Sequence, residues 1–221
     1  MTPSERAVRV AVVEDHTLFR SMLDHVVTTT EGLQLVASCA TVTAARAAIT
    51  PGSIDVALLD VDLPDGNGIA LGVMLCRADP KVSVVLLSAQ DALGLMLDLP
   101  RDVAGTWSYL SKTSTTDSDA LVHAIKVAAD GGSTLDPALL RRMRPRVGTK
   151  VAQLTSRQYA VLRLLASGLS NAGIARELEI TEKSVQNHVN AVYATLGIDA
   201  SPERNPRVTA ALQLIEETGT M

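Results

Sequence analysis

The stretch VALLDVDLPDGNG (residues 56–68) decides the fold. Four apolar residues run into Asp60, and Asp62 and Asp65 follow beside a turn carrying Pro64, Gly66 and Gly68. An apolar run of strand length reads as a strand buried on both faces of a sheet. Ending it on an acid, with further acids beside it, places negative charge where the strand reaches water.

Four similar runs surround this one: VRVAVV (8–13), LQLVAS (33–38), VSVVLLS (82–88) and TWSYLS (106–111), with the central run beginning at Asp55. All read as strands apolar on both faces. Helix-length segments separate them, with turn signals at Pro51-Gly52, Asp79-Pro80 and Gly131-Gly132. Strand–helix alternation repeated five times predicts an α/β unit, a doubly wound parallel sheet of the flavodoxin-like kind. Ligands on such sheets bind at the carboxyl ends of the strands. Glu14 and Asp15, Asp60, Ser88 and Lys112 follow the first, third, fourth and fifth runs, so all are expected on one edge.

The second half lacks strand patterning and reads as four helices. Thr155 and Gln158 have the spacing of a capping box, and Gly168 marks that helix's end. A second helix is expected over Asn171–Leu178, a third from Thr181 as N-cap to Gly197, and a fourth over Arg207–Glu217. Asp136-Pro137 opens a short helix, and RRMRPRVGTK (141–150) reads as linker. The expected units are therefore an α/β domain over 1–134, a linker over 135–152 and an all-α domain over 153–221.

Charge separates the halves too. Residues 1–134 carry 9 Lys/Arg against 16 Asp/Glu, a net of −7, whereas residues 135–221 carry 11 against 8, a net of +3. Such asymmetry points to two domains with different partners. Much of the positive charge is local, in Arg141, Arg142, Arg144, Arg146 and Lys150. The whole chain of 221 residues has a net charge of −4, which argues against a protein that simply coats nucleic acid. Hydrophobic residues make up 47% and aromatics only 2%, so the core must be aliphatic. No apolar run approaches the ~18–20 residues of a membrane span, and no leader is read at the start, so a cytoplasmic protein without membrane contact is expected. Cys39 and Cys76 have no metal-ligand spacing and read as buried thiols.

Clustered carboxylates repel unless a cation neutralises them, and a hard, oxygen-preferring ion such as Mg²⁺ suits them. Mg²⁺ takes few carboxylates and binds phosphate oxygens readily, so the site suits a phosphoryl group. Lys112 supplies a cation and Ser88 a hydroxyl, and Asp60 is placed to act as a nucleophile that becomes an aspartyl phosphate. Asp65 reads as turn chemistry and the Asp62 side chain as solvent-facing.

VVEDHTLFRSML (12–23), LLDVDLPDGNG (58–68), LLSAQD (86–91) and GTWSYLSK (105–112) together resemble the receiver domain of two-component response regulators, over residues 8–131. The resemblance implies that Asp60 is the phosphorylated aspartate, that Asp15 ligates Mg²⁺ directly, and that Glu14 does so through water. It further implies a metal contact from the Asp62 backbone carbonyl, a switch pair of Ser88 and Tyr109, and a phosphoryl contact from Lys112. Thr113 stands where most receivers have proline. The apolar segment 92–102, interrupted by Pro100, departs from the usual fourth helix.

LTSRQYAVLRLLASGLSNAGIARELEITEKSVQNHVNAVYATLGI (154–198) resembles the LuxR-type helix-turn-helix. With the receiver, this is similar to the architecture of the NarL/FixJ family of response regulators. Val185, Val189, Val192 and Leu196 form an apolar stripe on the third helix, and Lys183, Gln186, Asn187 and Asn190 occupy the opposite face. Gln and Asn pair with adenine and Lys with guanine in the major groove, so this face is expected to read double-stranded DNA. Arg176, Lys183 and the linker arginines are candidates for phosphate contacts, and His188, beside the stripe, is expected in a structural or phosphate role. Family members often have Lys where this chain has Gln186 and Thr195.

The resulting reading is a regulator and not an enzyme. A sensor histidine kinase phosphorylates Asp60 with Mg²⁺, Tyr109 turns inward, and the helix-turn-helix is released or the chain becomes a homodimer. The rivals are a haloacid-dehalogenase-like phosphatase, with Asp60-Val61-Asp62 as its DxD and Asp117 and Asp119 as metal acids, and an orphan regulator that no longer uses phosphate.

Overall fold

The structure, a computed structural model, describes residues 6–89, 99–100, 103, 107–116, 118–199 and 205–220. The chain starts with strand β1 (Val8–Val13), helix α1 (Thr17–Thr29), β2 (Leu33–Cys39), α2 (Val42–Ala48) and β3 (Val56–Asp60). A two-residue ribbon follows, β4 (Asp62–Leu63) against β5 (Gly66–Asn67), then α3 (Gly68–Ala78), β6 (Ser83–Ser88), β7 (Trp107–Ser111) and α4 (Ser118–Ala129). β1, β2, β3, β6 and β7 form one parallel sheet in the order β2-β1-β3-β6-β7.

The two-residue period of the strands divides the core in two. Val10, Val12, Val56, Leu58, Val85, Leu87 and Leu110 pack with Leu23 and Val27 of α1 and Leu121 and Ile125 of α4. Ala11, Val13, Ala57, Leu59, Val84, Leu86, Trp107 and Tyr109 face the other way, toward Leu71, Leu75 and Cys76 of α3. Small and large residues are matched here. A Cβ on Gly72 would lie 2.6 Å from the ring of Trp107, so the helix approaches the sheet's one tryptophan only because that position has no side chain.

Two expectations need correction. β2 is an edge strand whose residues alternate between covered and exposed, because only one sheet neighbour and one face are buried there. The second half is not purely helical. After α5 (Pro137–Arg142), strand β8 (Met143–Pro145) pairs antiparallel with β9 (Thr218–Thr220), which follows the last helix directly. Neither segment alternates long enough to announce a strand, and long-range pairing alone creates the ribbon. The apolar segment 92–102 lies outside the described residues except for Leu99 and Pro100.

The helical unit contains α6 (Ser156–Ala166), α7 (Asn171–Glu177), α8 (Glu182–Leu196) and α9 (Pro206–Glu217). Thr155 and Gln158 close the capping box in both directions, and the Thr181 side chain caps α8. Such caps contribute about 1 kcal/mol each. Gly197, at φ 73°, ends α8, and Lys150 Nζ donates to the carbonyl of Leu196 at 2.8 Å. Val185, Val189, Val192 and Leu196 are buried against α6, α7 and α9, as the stripe predicts. Ala210, Ala211, Leu214 and Ile215 of α9 are buried in the same core, so the apolar spacing of that helix serves packing.

The two units meet along β7. The Tyr109 N–H donates to the carbonyl of Thr134 at 2.8 Å, and the Leu135 N–H donates to the carbonyl of Ala166, also at 2.8 Å. Residues 134–135 therefore lie alongside the sheet edge on one side and at the end of α6 on the other. His123 Nε2 lies 3.2 Å from the carbonyl oxygen of Ser167, a second contact across the seam.

Candidate functional site

Asp60 ends β3 and Lys112 follows β7, and the parallel register brings both to the same edge as Glu14 after β1. Lys112 Nζ lies 2.8 Å from Glu14 Oε2 and 2.9 Å from Asp60 Oδ2. Glu14 is fully buried and Asp60 is 4% exposed. Burial pushes the Glu14 carboxyl above its usual range, and the Lys112 hydrogen bond only partly opposes this. Burial also works against the Lys112 ammonium, yet hydrogen bonds to Glu14 and Asp60 hold its pKa above the ordinary value. Among the described residues the pocket thus has two buried acids and a single bridging ammonium, with Asp15 exposed at its mouth.

Glu14, Asp15 and Asp60 each present a carboxylate oxygen, and these atoms lie within 4.8 Å of one another. Hard oxygen donors, two of them buried and one open to water, fit Mg²⁺, which keeps several waters while taking one or two carboxylates. Ser88 ends β6 beside this edge, and its carbonyl accepts from the Lys112 N–H at 2.8 Å. Asp62 is exposed, as read from the sequence. Asp65 is directed away from the pocket: its carboxylate accepts the N–H groups of Val42 and Thr43 at 2.7 and 2.8 Å, capping α2. The Thr43 side chain, together with the helix-terminal N–H groups of Thr43 and Val42, holds its pKa below the ordinary value.

Tyr109 is inward in this structure, 1% exposed, packed in the core cluster that continues into the helical unit. Its backbone N–H is bonded to the 134–135 segment. Of the two metal acids weighed for a phosphatase, Asp117 lies outside the described residues, and Asp119 begins the second residue of α4.

Three participants could not be read from the sequence. The Phe19 ring lies 5.1 Å from Lys112 Nζ, a cation–π distance. His16 caps α1, its Nδ1 accepting the N–H of Phe19 at 3.3 Å. Arg20 donates to the Glu14 carbonyl at 2.6 Å. Phe19, Met22 and Leu18, the last 76% exposed, form an apolar wall to an open cleft of about 650 Å³ that also contains Asp15, Asp60 and Lys112. The spacing shows that α1 is amphipathic, but not that its apolar residues reach this edge.

On α8, Lys183, Gln186, Asn187 and Asn190 are all exposed on one face, and Arg176 is exposed at the end of α7. His188 is half-buried beside the stripe. This face is open to water while the two units are in contact through the α6 end.

A parallel α/β sheet with a lysine-bridged acidic pocket, linked to a helix-turn-helix, defines a receiver-controlled DNA-binding regulator. Comparison with known proteins agrees. Residues 10–126 match the response regulator receiver domain, and residues 152–203 match the LuxR family of bacterial regulatory proteins. The DNA-binding transcriptional activator DevR/DosR of Mycobacterium tuberculosis is 32% identical over 198 residues, covering 87% of this chain and 89% of that protein. The transcriptional regulatory protein DegU of Brevibacillus brevis is 27% identical over 234 residues, covering 96% and 95%. Among solved structures, RcsB of Salmonella enterica serovar Typhimurium bound to promoter P1flhDC shares the fold, with a TM-score of 0.51, 19% identity and coverage of 95% and 100%. The chain belongs to the NarL/FixJ family of two-component response regulators, with an N-terminal receiver and a C-terminal LuxR-type DNA-binding domain. Among the described residues no helix is long and apolar enough to cross a membrane.

Proposed function

We propose that this chain accepts a phosphoryl group on Asp60 from a sensor histidine kinase, with Mg²⁺, and that phosphorylation controls DNA binding by promoting a homodimer. The observation that carries the first part is the convergence of Lys112 on Glu14 and Asp60 at 2.8 and 2.9 Å. Glu14, Asp15, Asp60 and the Asp62 carbonyl would hold the ion, which supplies positive charge for the phosphoryl oxygens. An Asp60 oxygen attacks the phosphorus of the kinase phosphohistidine; the O–P bond forms as the P–N bond breaks, and the freed imidazole takes up a proton. Lys112 then leaves its carboxylate partner for a phosphoryl oxygen, and the Ser88 hydroxyl donates to another. The apolar α1 wall beside the acids offers the kinase a docking surface.

Lys183, Gln186, Asn187 and Asn190 are assigned to base edges, and Arg176 and His188 to phosphates. Exposure of these residues alongside a docked receiver favours dimerisation over uncovering as the activating step. Paired half-sites would also raise affinity by avidity, which a helix-turn-helix domain of nearly balanced charge needs. The domain limits assigned are a receiver over 1–134, a linker over 135–152 and a DNA-binding domain over 153–221, and the protein is assigned to the cytoplasm, where kinase and DNA are both accessible.

Light scattering of the full chain with Mg²⁺, with and without beryllofluoride, tests this, with Asp60→Asn as control. The expected result is a monomer-to-dimer shift in the wild type only, with intact-mass spectrometry after acetyl phosphate treatment showing one added phosphoryl group. A wild type that gains no mass, or an Asp60→Asn variant that gains as much, would overturn the reading of the pocket. Phosphorylation with no change in size or DNA affinity would overturn the coupling.

A further inference from the structure

A line of side-chain hydrogen bonds runs from α9 across α7 to the DNA-facing side of α8. Arg207 Nη2 donates to Asn171 Oδ1. Asn171 Nδ2 donates to Gln186 Oε1 at 2.8 Å, and Gln186 Nε2 donates to Asn190 Oδ1 at 2.8 Å. Arg207 is itself held, its Nη1 donating to the carbonyl of Leu169 at 2.8 Å.

The direction of this relay is set at its head. A primary amide can turn either its oxygen or its nitrogen toward a neighbour, but a guanidinium has no acceptor. Arg207 therefore selects the Asn171 oxygen, which leaves the Asn171 nitrogen for Gln186. Gln186 must answer with its oxygen and pass on its nitrogen, and Asn190 must answer with its oxygen. Each amide oxygen is engaged within the protein, and the N–H groups of Asn190 and the second N–H of Gln186 are left for the groove.

From this geometry we infer that Arg207, which lies on α9 and not on the reading helix, is a specificity-determining residue that makes Gln186 and Asn190 donors toward DNA and so selects paired acceptor edges, those of guanine N7 and O6, over the mixed acceptor–donor edge of adenine. The adenine pairing of Gln or Asn needs one donor and one acceptor from the same amide. The relay turns each acceptor toward a protein donor and engages one of its two lone pairs, so the groups left wholly uncommitted are N–H donors. The residue types alone point to adenine, and the bonding pattern reverses that preference. The inference rests on the DNA-reading role assigned to α8 and deepens it.

The test is selection of bound duplexes from a library with a randomised core of about 20 base pairs, using the full-length chain with Mg²⁺ and beryllofluoride, as the site sizes of paired half-sites require. The wild type is expected to prefer guanine over adenine by about tenfold at the position read by Gln186 and Asn190, the ratio that ~1.4 kcal/mol gives. Arg207→Lys keeps a donor at the head and keeps the preference. Arg207→Met, and independently Asn171→Ala, leave the downstream amides free to turn, and guanine and adenine become equivalent within about twofold. Arg207→Glu reverses the relay, turns the Asn190 oxygen outward and shifts selection toward cytosine or adenine, which offer amino donors. Asn171→Ala leaves the Arg207 contact with Leu169 in place, so the test stands even if Arg207→Met fails to fold. Variants that bind with wild-type base preference, or a wild type that selects adenine, overturn the relay's role. A wild type that enriches no sequence overturns the DNA reading beneath it, and the relay with it.

Discussion

The carboxylate of Asp136 accepts the backbone N–H of Ser111 at 2.8 Å, one residue before Lys112. The same side chain, fully buried, caps α5 by accepting from Ala138 and Leu139 at 2.7 and 3.2 Å. One buried acid therefore joins the end of the receiver sheet to the start of the helix that leads toward the DNA-binding domain. Position in this bond network, and not proximity to Asp60, makes it the tie between the two halves.

Asp136→Asn is expected to destabilise the protein by about 2–3 kcal/mol at neutral pH, the scale of charged hydrogen bonds lost from a buried site. Burial raises the Asp136 pKa, but the bonds from Ser111, Ser114 and Leu139 outweigh it and hold the folded value below the ordinary 3.8. A depressed acid stabilises the fold above its unfolded pKa, and that contribution disappears as pH falls through the lower folded value. Urea melts of both proteins should show the full gap at pH 7 and a shrinking one below pH 3.8. A gap that grows on acidification would contradict this account.

Mg²⁺ is expected to raise the melting temperature of the wild type, because Glu14 and Asp60 share a single ammonium. At tenfold excess over its dissociation constant the ion adds about 1.4 kcal/mol. Glu14→Gln should melt higher than the wild type in the absence of Mg²⁺, since burial penalises the Glu14 charge, and should gain less when the ion is added. Differential scanning calorimetry with and without the ion measures both. Equal gains in the two proteins would remove Glu14 from the ion's surroundings.

Gly68→Ala should fail more severely than an ordinary helix substitution. A Cβ there would lie 1.8 Å from the backbone oxygen of Asp60, which cannot move without displacing the proposed phosphoacceptor. Expected are a destabilisation at or above the ~1–3 kcal/mol typical of overpacking and a slower phosphorylation of Asp60. Denaturation and acetyl phosphate labelling read the two effects separately.

Most of this frame was legible because burial leaves a mark on composition. β1, β3 and β6 are predominantly apolar runs, and each expected boundary lies within one residue of the observed one. The acids and the lysine were legible because each terminates such a run. The parts that escaped depend on contacts distant in sequence. β8 and β9 form only through each other, Phe19 reaches Lys112 from the far end of the receiver's sequence, and the backbone of Tyr109 is bonded to a segment that no strand pattern reveals. The polarity of Gln186 was equally hidden, since it is decided by Arg207 on a different helix.

The seam between the units supplies the last prediction. His123 Nε2 lies 3.2 Å from the Ser167 carbonyl, and beside it Leu135 donates to Ala166. Removing one such bond costs about 0.5–1.5 kcal/mol net, so His123→Ala should shift the balance from docked to separated units by roughly fivefold. Small-angle scattering would register this as a larger radius of gyration. Because Lys183, Gln186, Asn187 and Asn190 are exposed in the docked form, affinity of the unphosphorylated variant for a single half-site should stay within about twofold of the wild type. A ligand that meets the same exposed face in both arrangements has no differential affinity with which to favour either. A large gain in half-site affinity would instead mean that the receiver restrains the reading helix, and activation by release would replace activation by dimerisation.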